Sequence, residues 1–139
     1  MMDIACDCPE CRAMCTRRPC WPTPADAERL VAAGFGRRLM REWWFDHSHE
    51  KTVFLLTPAL AGREGGESPA HPAGPCTFLT ADGLCELHAL GLKPSEGRRA
   101  LCHNRTPVDL HQRIGQTWNN AEALALVQRW LSQSKASAA

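Results

Sequence analysis

RRLMREWWFDHSHEKTVFLLTP, residues 37–58, decides how the chain folds, because it holds four of the nine aromatic side chains. Leu39, Met40, Trp43 and Trp44 stand at i, i+1, i+4 and i+5, the spacing of one helical face, so a short helix is expected over residues 37–46. Its tryptophan pair is then core rather than a binding platform. HSHE reads as a solvated loop; in the alternative reading His47 and His49 face one side of an extended segment as a second metal site. KTVFLLTP is β-branched and apolar and ends at a proline, which predicts a buried strand or short extended segment over 51–58.

Upstream lies WPTPADAERLVAAGFG. Thr23 can cap a helix, Pro24 suits its first turn, and Asp26 supplies the acid three residues after the cap. Leu30 and Val31 give an apolar face and Gly34 a stop, so a helix is expected from about residue 24 to 33.

Downstream, AGREGGESPAHPAGP, residues 61–75, has the Gly, Pro and Ser content of an exposed loop, an insertion or flexible flap. CTFLTADGLCELH, residues 76–88, reads as a small hairpin with Ala81-Asp82-Gly83 as its turn and a cysteine on each arm. Helices follow to about residue 133. Pro94 opens one that ends at Leu101 and Cys102; Thr106, Pro107 and Asp109 repeat the earlier cap arrangement. Asn120 caps the last, whose core face is Leu124, Val127, Trp130 and Leu131. The tail SKASAA is expected to fray. The fold expected is mainly α with a small β-hairpin, one compact metal-stabilised domain spanning residues 1–139.

A chain of 139 residues suits one domain. Sixteen Lys and Arg against fifteen Asp and Glu, without a block of like charge, argue against nucleic acid or anionic membrane as partner. The opening MMDIACDCPE lacks the apolar run of a secretory signal, and no stretch approaches the roughly eighteen apolar residues of a membrane span. A cytoplasmic location, with reduced cysteines, is the expectation.

The eight cysteines carry the chemistry. Five crowd CDCPECRAMCTRRPC, residues 6–20: Cys6, Cys8, Cys11, Cys15 and Cys20, at intervals x, x2, x3 and x4. Cys76, Cys85 and Cys102 follow, separated by x8 and x16, each at the edge of an expected element. A disulfide knot, a thiol redox site and a metal site compete. A reducing compartment weakens the knot. Cys8-Pro9-Glu10-Cys11 has the C-P-x-C form of thioredoxin-like sites but not the strand before it that such sites need. Short intervals let several thiolates converge on one tetrahedral zinc or an iron-sulfur cluster.

C-x2-C-x3-C near the N-terminus, the PCWPTPADAERL helix, CTFLTADGLCELH and KPSEGRRALC together resemble the cysteine-cluster family of zinc- or iron-chelating domains, often called YkgJ-like. The resemblance covers residues 8–31 and 76–103, and implies a metal held by clustered thiolates. Two departures stand out. TRRP separates Cys15 from Cys20 where the family commonly has adjacent cysteines, and Gly97 occupies an expected cysteine position after Lys93-Pro94. Cys102 then replaces that ligand or serves as a later one.

His103, beside Cys102, is a further candidate ligand, whereas His71, His88 and His111 show no partner in the sequence. No Ser-His-acid grouping or phosphate-binding glycine loop supports a hydrolase or nucleotide reading. The expected function is chelation of zinc, or iron, by Cys6, Cys8, Cys11, Cys15, Cys20, Cys76, Cys85 and Cys102, with a mainly structural metal. Structural zinc contributes about 10–16 kcal/mol, comparable with a domain's whole stability of about 5–15 kcal/mol. An iron-sulfur electron carrier is the alternative. A third reading is an interaction module whose C-terminal helices dock on a protein partner through Trp118 or Trp130.

Overall fold

The computed structural model describes residues 19–69, 73–81, 85–96 and 110–138. Helix α1 (Pro24–Ala32) and a single 3-10 turn (Gly36–Arg38) lead into strand β1 (Leu39–Asp46). Strand β2 (Lys51–Pro58), helix α2 (Glu86–Ala89), helix α3 (Leu110–Gln116) and helix α4 (Ala121–Ala138) follow. Among the described residues no helix is long and apolar enough to cross a membrane.

Helix α1 begins where its cap chemistry dictates. Asp26 N–H donates to Thr23 Oγ1 at 3.2 Å and Thr23 N–H donates to Asp26 Oδ2 at 3.0 Å. Both orphan amides are satisfied reciprocally, an arrangement whose cap residue contributes about 1 kcal/mol. The helix stops before Gly34, whose φ of +94° an L side chain rarely adopts. Asn120 caps α4 as expected, its Oδ1 accepting from Ala123 N–H at 2.8 Å. One stripe of α4, Ala123, Leu126, Val127 and Trp130, enters the core, while Leu124 remains half exposed.

The centre of the fold corrects the mainly α expectation. Residues 39–46 form a strand, not a helix, and pair antiparallel with β2 from Leu39↔Pro58 to Asp46↔Lys51. Helical spacing of four apolar residues is a local signal, whereas 51–58 can satisfy its backbone only by pairing; Trp and Phe suit the pleated surface they then occupy. Strand alternation also separates the tryptophan pair. Trp44 packs inward and donates its indole N–H to Gly115 O at 3.1 Å, while Trp43 is 46% exposed. The hairpin expected over 76–88 reduces to one bridge, Leu79↔Cys85, and Cys76 bridges instead to Leu60. Residues 82–84 lie outside those described, as do the expected helix end at Leu101 and Cys102, the expected cap at Thr106–Asp109 and the tail's last residue, Ala139.

Metal stabilisation of the domain is corrected too. The core is apolar packing: Trp21, Leu30, Leu39, Leu55, Phe78, Leu87, Ile114 and Trp118 belong to one buried cluster. Among the described residues no group of three possible ligands stands at metal-holding spacing. The first part of the 61–75 loop runs along β1, Gly65 N–H donating to Leu39 O and Ser68 N–H to Arg41 O, both at 2.8 Å.

The turn between β1 and β2 is organised by Asp46. Its carboxylate accepts from Ser48 N–H at 3.0 Å, His49 Nδ1 at 2.7 Å and Asn119 Nδ2 at 2.9 Å. Burial pushes the carboxyl up, but the His49 hydrogen bond and charge, with the backbone N–H groups of His49 and Ser48, outweigh it and hold Asp46 below its ordinary value. A carboxyl whose folded pKa lies below its unfolded one stabilises the fold above the unfolded pKa; that contribution disappears as pH falls through the folded value. Denaturation of the wild type from about pH 5 to pH 2 should therefore show an acid loss of stability that Asp46→Asn flattens. Parallel pH profiles would show that Asp46 does not contribute.

Candidate metal centre

Three cysteines from separate parts of the chain line one small cavity. Cys20 precedes α1, and Cys76 follows the long loop, held by Thr77 N–H to Ala59 O at 2.8 Å and Ala61 N–H to Pro75 O at 3.0 Å. Cys85 enters α2 beside its bridge to Leu79. Cys20 and Cys76 are buried and Cys85 is half-buried. With Pro58, Leu87, Lys93 and Pro94 they enclose about 10 Å³. That is roughly the room of one water-sized sphere. The three side chains share the cavity without reaching ligand spacing as a group.

Of the eight cysteines expected as ligands, Cys20, Cys76 and Cys85 are thus brought together. Cys6, Cys8, Cys11, Cys15 and Cys102 lie outside the described residues, as do His71 and His103. His47 and His49 sit in the exposed β-turn, His47 edge-on to Phe45 and His49 against Asp46, away from the cysteine cavity's lining. Trp118 and Trp130, named for docking, are core residues: their indoles donate to Pro22 O at 2.8 Å and Gly36 O at 2.7 Å.

The cavity wall is tied down by buried carboxylates that the sequence does not announce. Trp21 N–H donates to Glu96 Oε1 at 2.9 Å, and Glu96 N–H returns a bond to Trp21 O at 3.2 Å. Ser95 donates both N–H, at 2.9 Å, and Oγ–H, at 2.5 Å, to Asp26 Oδ2. The segment holding Lys93 and Pro94 is thereby fastened to the segment holding Cys20. Asp26 therefore serves twice, as a helix cap and as this clasp. Glu96 also meets His111 Nδ1, and the His111 ring lies 3.6 Å from that of Trp21. Trp21 Nε1 donates to Glu42 Oε2 at 2.9 Å. Buried carboxylates persist only when hydrogen-bonded in this way. Ser-Glu after a proline hints at a helix start, but nothing local connects Glu96 to Trp21 or His111.

The chain matches no model of a known protein family, no curated protein and no solved structure.

Proposed function

We propose that the chain is a metal-binding protein that holds zinc through Cys20, Cys76 and Cys85, with further thiolate from the N-terminal cysteine group or Cys102. The observation that carries this is the convergence of three thiols on one apolar-walled cavity. Zinc prefers four tetrahedral ligands with sulfur among the commonest, and apolar walls strengthen each thiolate bond. Lys93 in the wall offsets part of the negative charge that several thiolates leave on such a centre. The metal ties the cysteine-rich N-terminal segment to a core that apolar packing already holds. A reducing, cytoplasmic setting and kinship with the YkgJ-like family belong to the same reading.

Protein purified under reducing conditions without a metal-affinity tag should carry about one zinc per chain or more and be colourless. Elemental analysis with a visible spectrum decides. Folded protein free of zinc and iron overturns the proposal, and a brown protein containing iron and sulfide replaces zinc with the cluster.

A further inference from the structure

The three cavity thiols differ in what can reach them. Cys20 and Cys76 are 3% and 5% exposed, whereas Cys85 is half-buried. They differ also in how the backbone joins them. Cys76 O accepts from Leu79 N–H at 3.0 Å, Leu79 bridges to Cys85, and Phe78 O accepts from Glu86 N–H at 2.8 Å. Cys76 and Cys85 are thus linked through Leu79 alone, and both line the same cavity of about 10 Å³. Cys20 stands on a separate segment, which the paired bonds between Trp21 and Glu96 hold in place.

We propose that Cys85 and Cys76 form a peroxide-sensitive pair whose oxidation to a disulfide expels the metal. The inference rests on the zinc reading above, because ligation is what keeps a sulfur as thiolate at neutral pH. Oxidation follows thiolate character and exposure together. Of the three ligands Cys85 is the one that has both. Its sulfur attacks hydrogen peroxide: an S–O bond forms, the O–O bond breaks, and the hydroxide released becomes water with one proton from solvent. The Cys76 thiolate then displaces the hydroxyl of the Cys85 sulfenic acid, forming the S–S bond, and the departing hydroxide takes up a second proton. Two sulfurs lose two electrons and both peroxide oxygens end as water. Cys76 is the partner because the short ladder through Leu79 can draw in as a unit, while Cys20 is clasped to Glu96. A disulfide cannot remain a pair of ligands. Its sulfurs stand about 2.05 Å apart and carry no charge, whereas two thiolates at about 2.3 Å from a tetrahedral zinc stand about 3.8 Å apart.

Peptide mapping of the full chain tests the pairing, since tryptic fragment 64–98 contains Cys76 and Cys85 and no other cysteine. Zinc is first counted in the protein as purified; hydrogen peroxide is then added without reductant while a chromogenic chelator reports release. One zinc should leave per disulfide formed, the oxidised chain should bind zinc at least about 100-fold more weakly, and dithiothreitol should reverse both effects. Fragment 64–98 should lose two hydrogens, resist alkylation and stay joined when cut before Asp82. Cys76→Ser should stop at a sulfenic acid on Cys85 that dimedone traps, and Cys85→Ser should leave Cys76 open to alkylation after unfolding. Should either serine variant fail to fold, the wild-type map decides. Zinc-loaded protein that yields no disulfide within fragment 64–98 at any peroxide dose overturns the inference and leaves the zinc centre standing. Protein that holds no zinc overturns both.

Discussion

Cys76→Ser should lower zinc affinity about 100-fold, and Cys85→Ser should do the same. Spread over four ligands, the roughly 10–16 kcal/mol of a structural zinc site is about 3 kcal/mol per ligand, two powers of ten in affinity. Serine nearly keeps the volume of cysteine but replaces a soft thiolate with a hydroxyl that stays protonated at neutral pH. Cys76 is buried against Leu60 and the cavity wall, so the hydroxyl also costs about 1–3 kcal/mol if it finds no hydrogen bond there. That cost is common to zinc-loaded and zinc-free protein. The informative quantity is therefore the stabilisation added by zinc, from denaturant unfolding with and without the metal, alongside competition against a chromogenic chelator. Wild-type affinity in both variants would show that zinc, if bound, is held elsewhere. A drop in both variants, matched by one in Cys20→Ser, would mean that the N-terminal and later cysteines share one centre across a loop of more than fifty residues. Loop closure permits that, since its cost grows only by about 0.6 kcal/mol per doubling of length.

Gly115→Ala should destabilise the domain by about 2 kcal/mol, although alanine is the better helix former by about 1 kcal/mol. A Cβ on Gly115 would stand 2.8 Å from Trp21 Cζ3 and 3.0 Å from Trp44 Cε2 and Nε1. Neither indole can step aside cheaply. Trp21 is pinned by its bond to Glu42 and flanked by the His111 ring, and Trp44 is bonded to Gly115 O itself. Overpacking of this kind costs about 1–3 kcal/mol and sometimes more, which outweighs the propensity gain. Trp21 is also the neighbour of Cys20 and the partner of Glu96, so its displacement should shift the cysteine cavity and weaken zinc binding. Denaturant unfolding of the zinc-free protein gives the first effect and chelator competition the second. A stabilised Gly115→Ala would mean the indoles slide to admit the methyl group.

Much of this chain is legible one segment at a time. Thr23 and Asp26 announce α1, Asn120 announces α4, and the apolar run 53–56 announces β2, because cap and strand preferences act between neighbours in sequence. Cysteine type and spacing name the candidate chemistry, since thiolates at short intervals can meet without large entropic cost. Residues 37–46 were beyond that reach. Their apolar positions satisfy a helix, and only the presence of β2 as a pairing partner makes a strand of residues 39–46, sending Trp43 outward and Trp44 into the core. The same limit applies at the cavity. Asp26 and Ser95 are 69 residues apart and Trp21 and Glu96 are 75 apart, yet their bonds set the wall beside Cys20. No local preference encodes them. What the sequence by itself determined was the set of elements with strong caps and the presence of thiol chemistry; which face each side chain takes, and which thiols meet, was decided by tertiary structure, because burial and backbone pairing are satisfied only between distant segments.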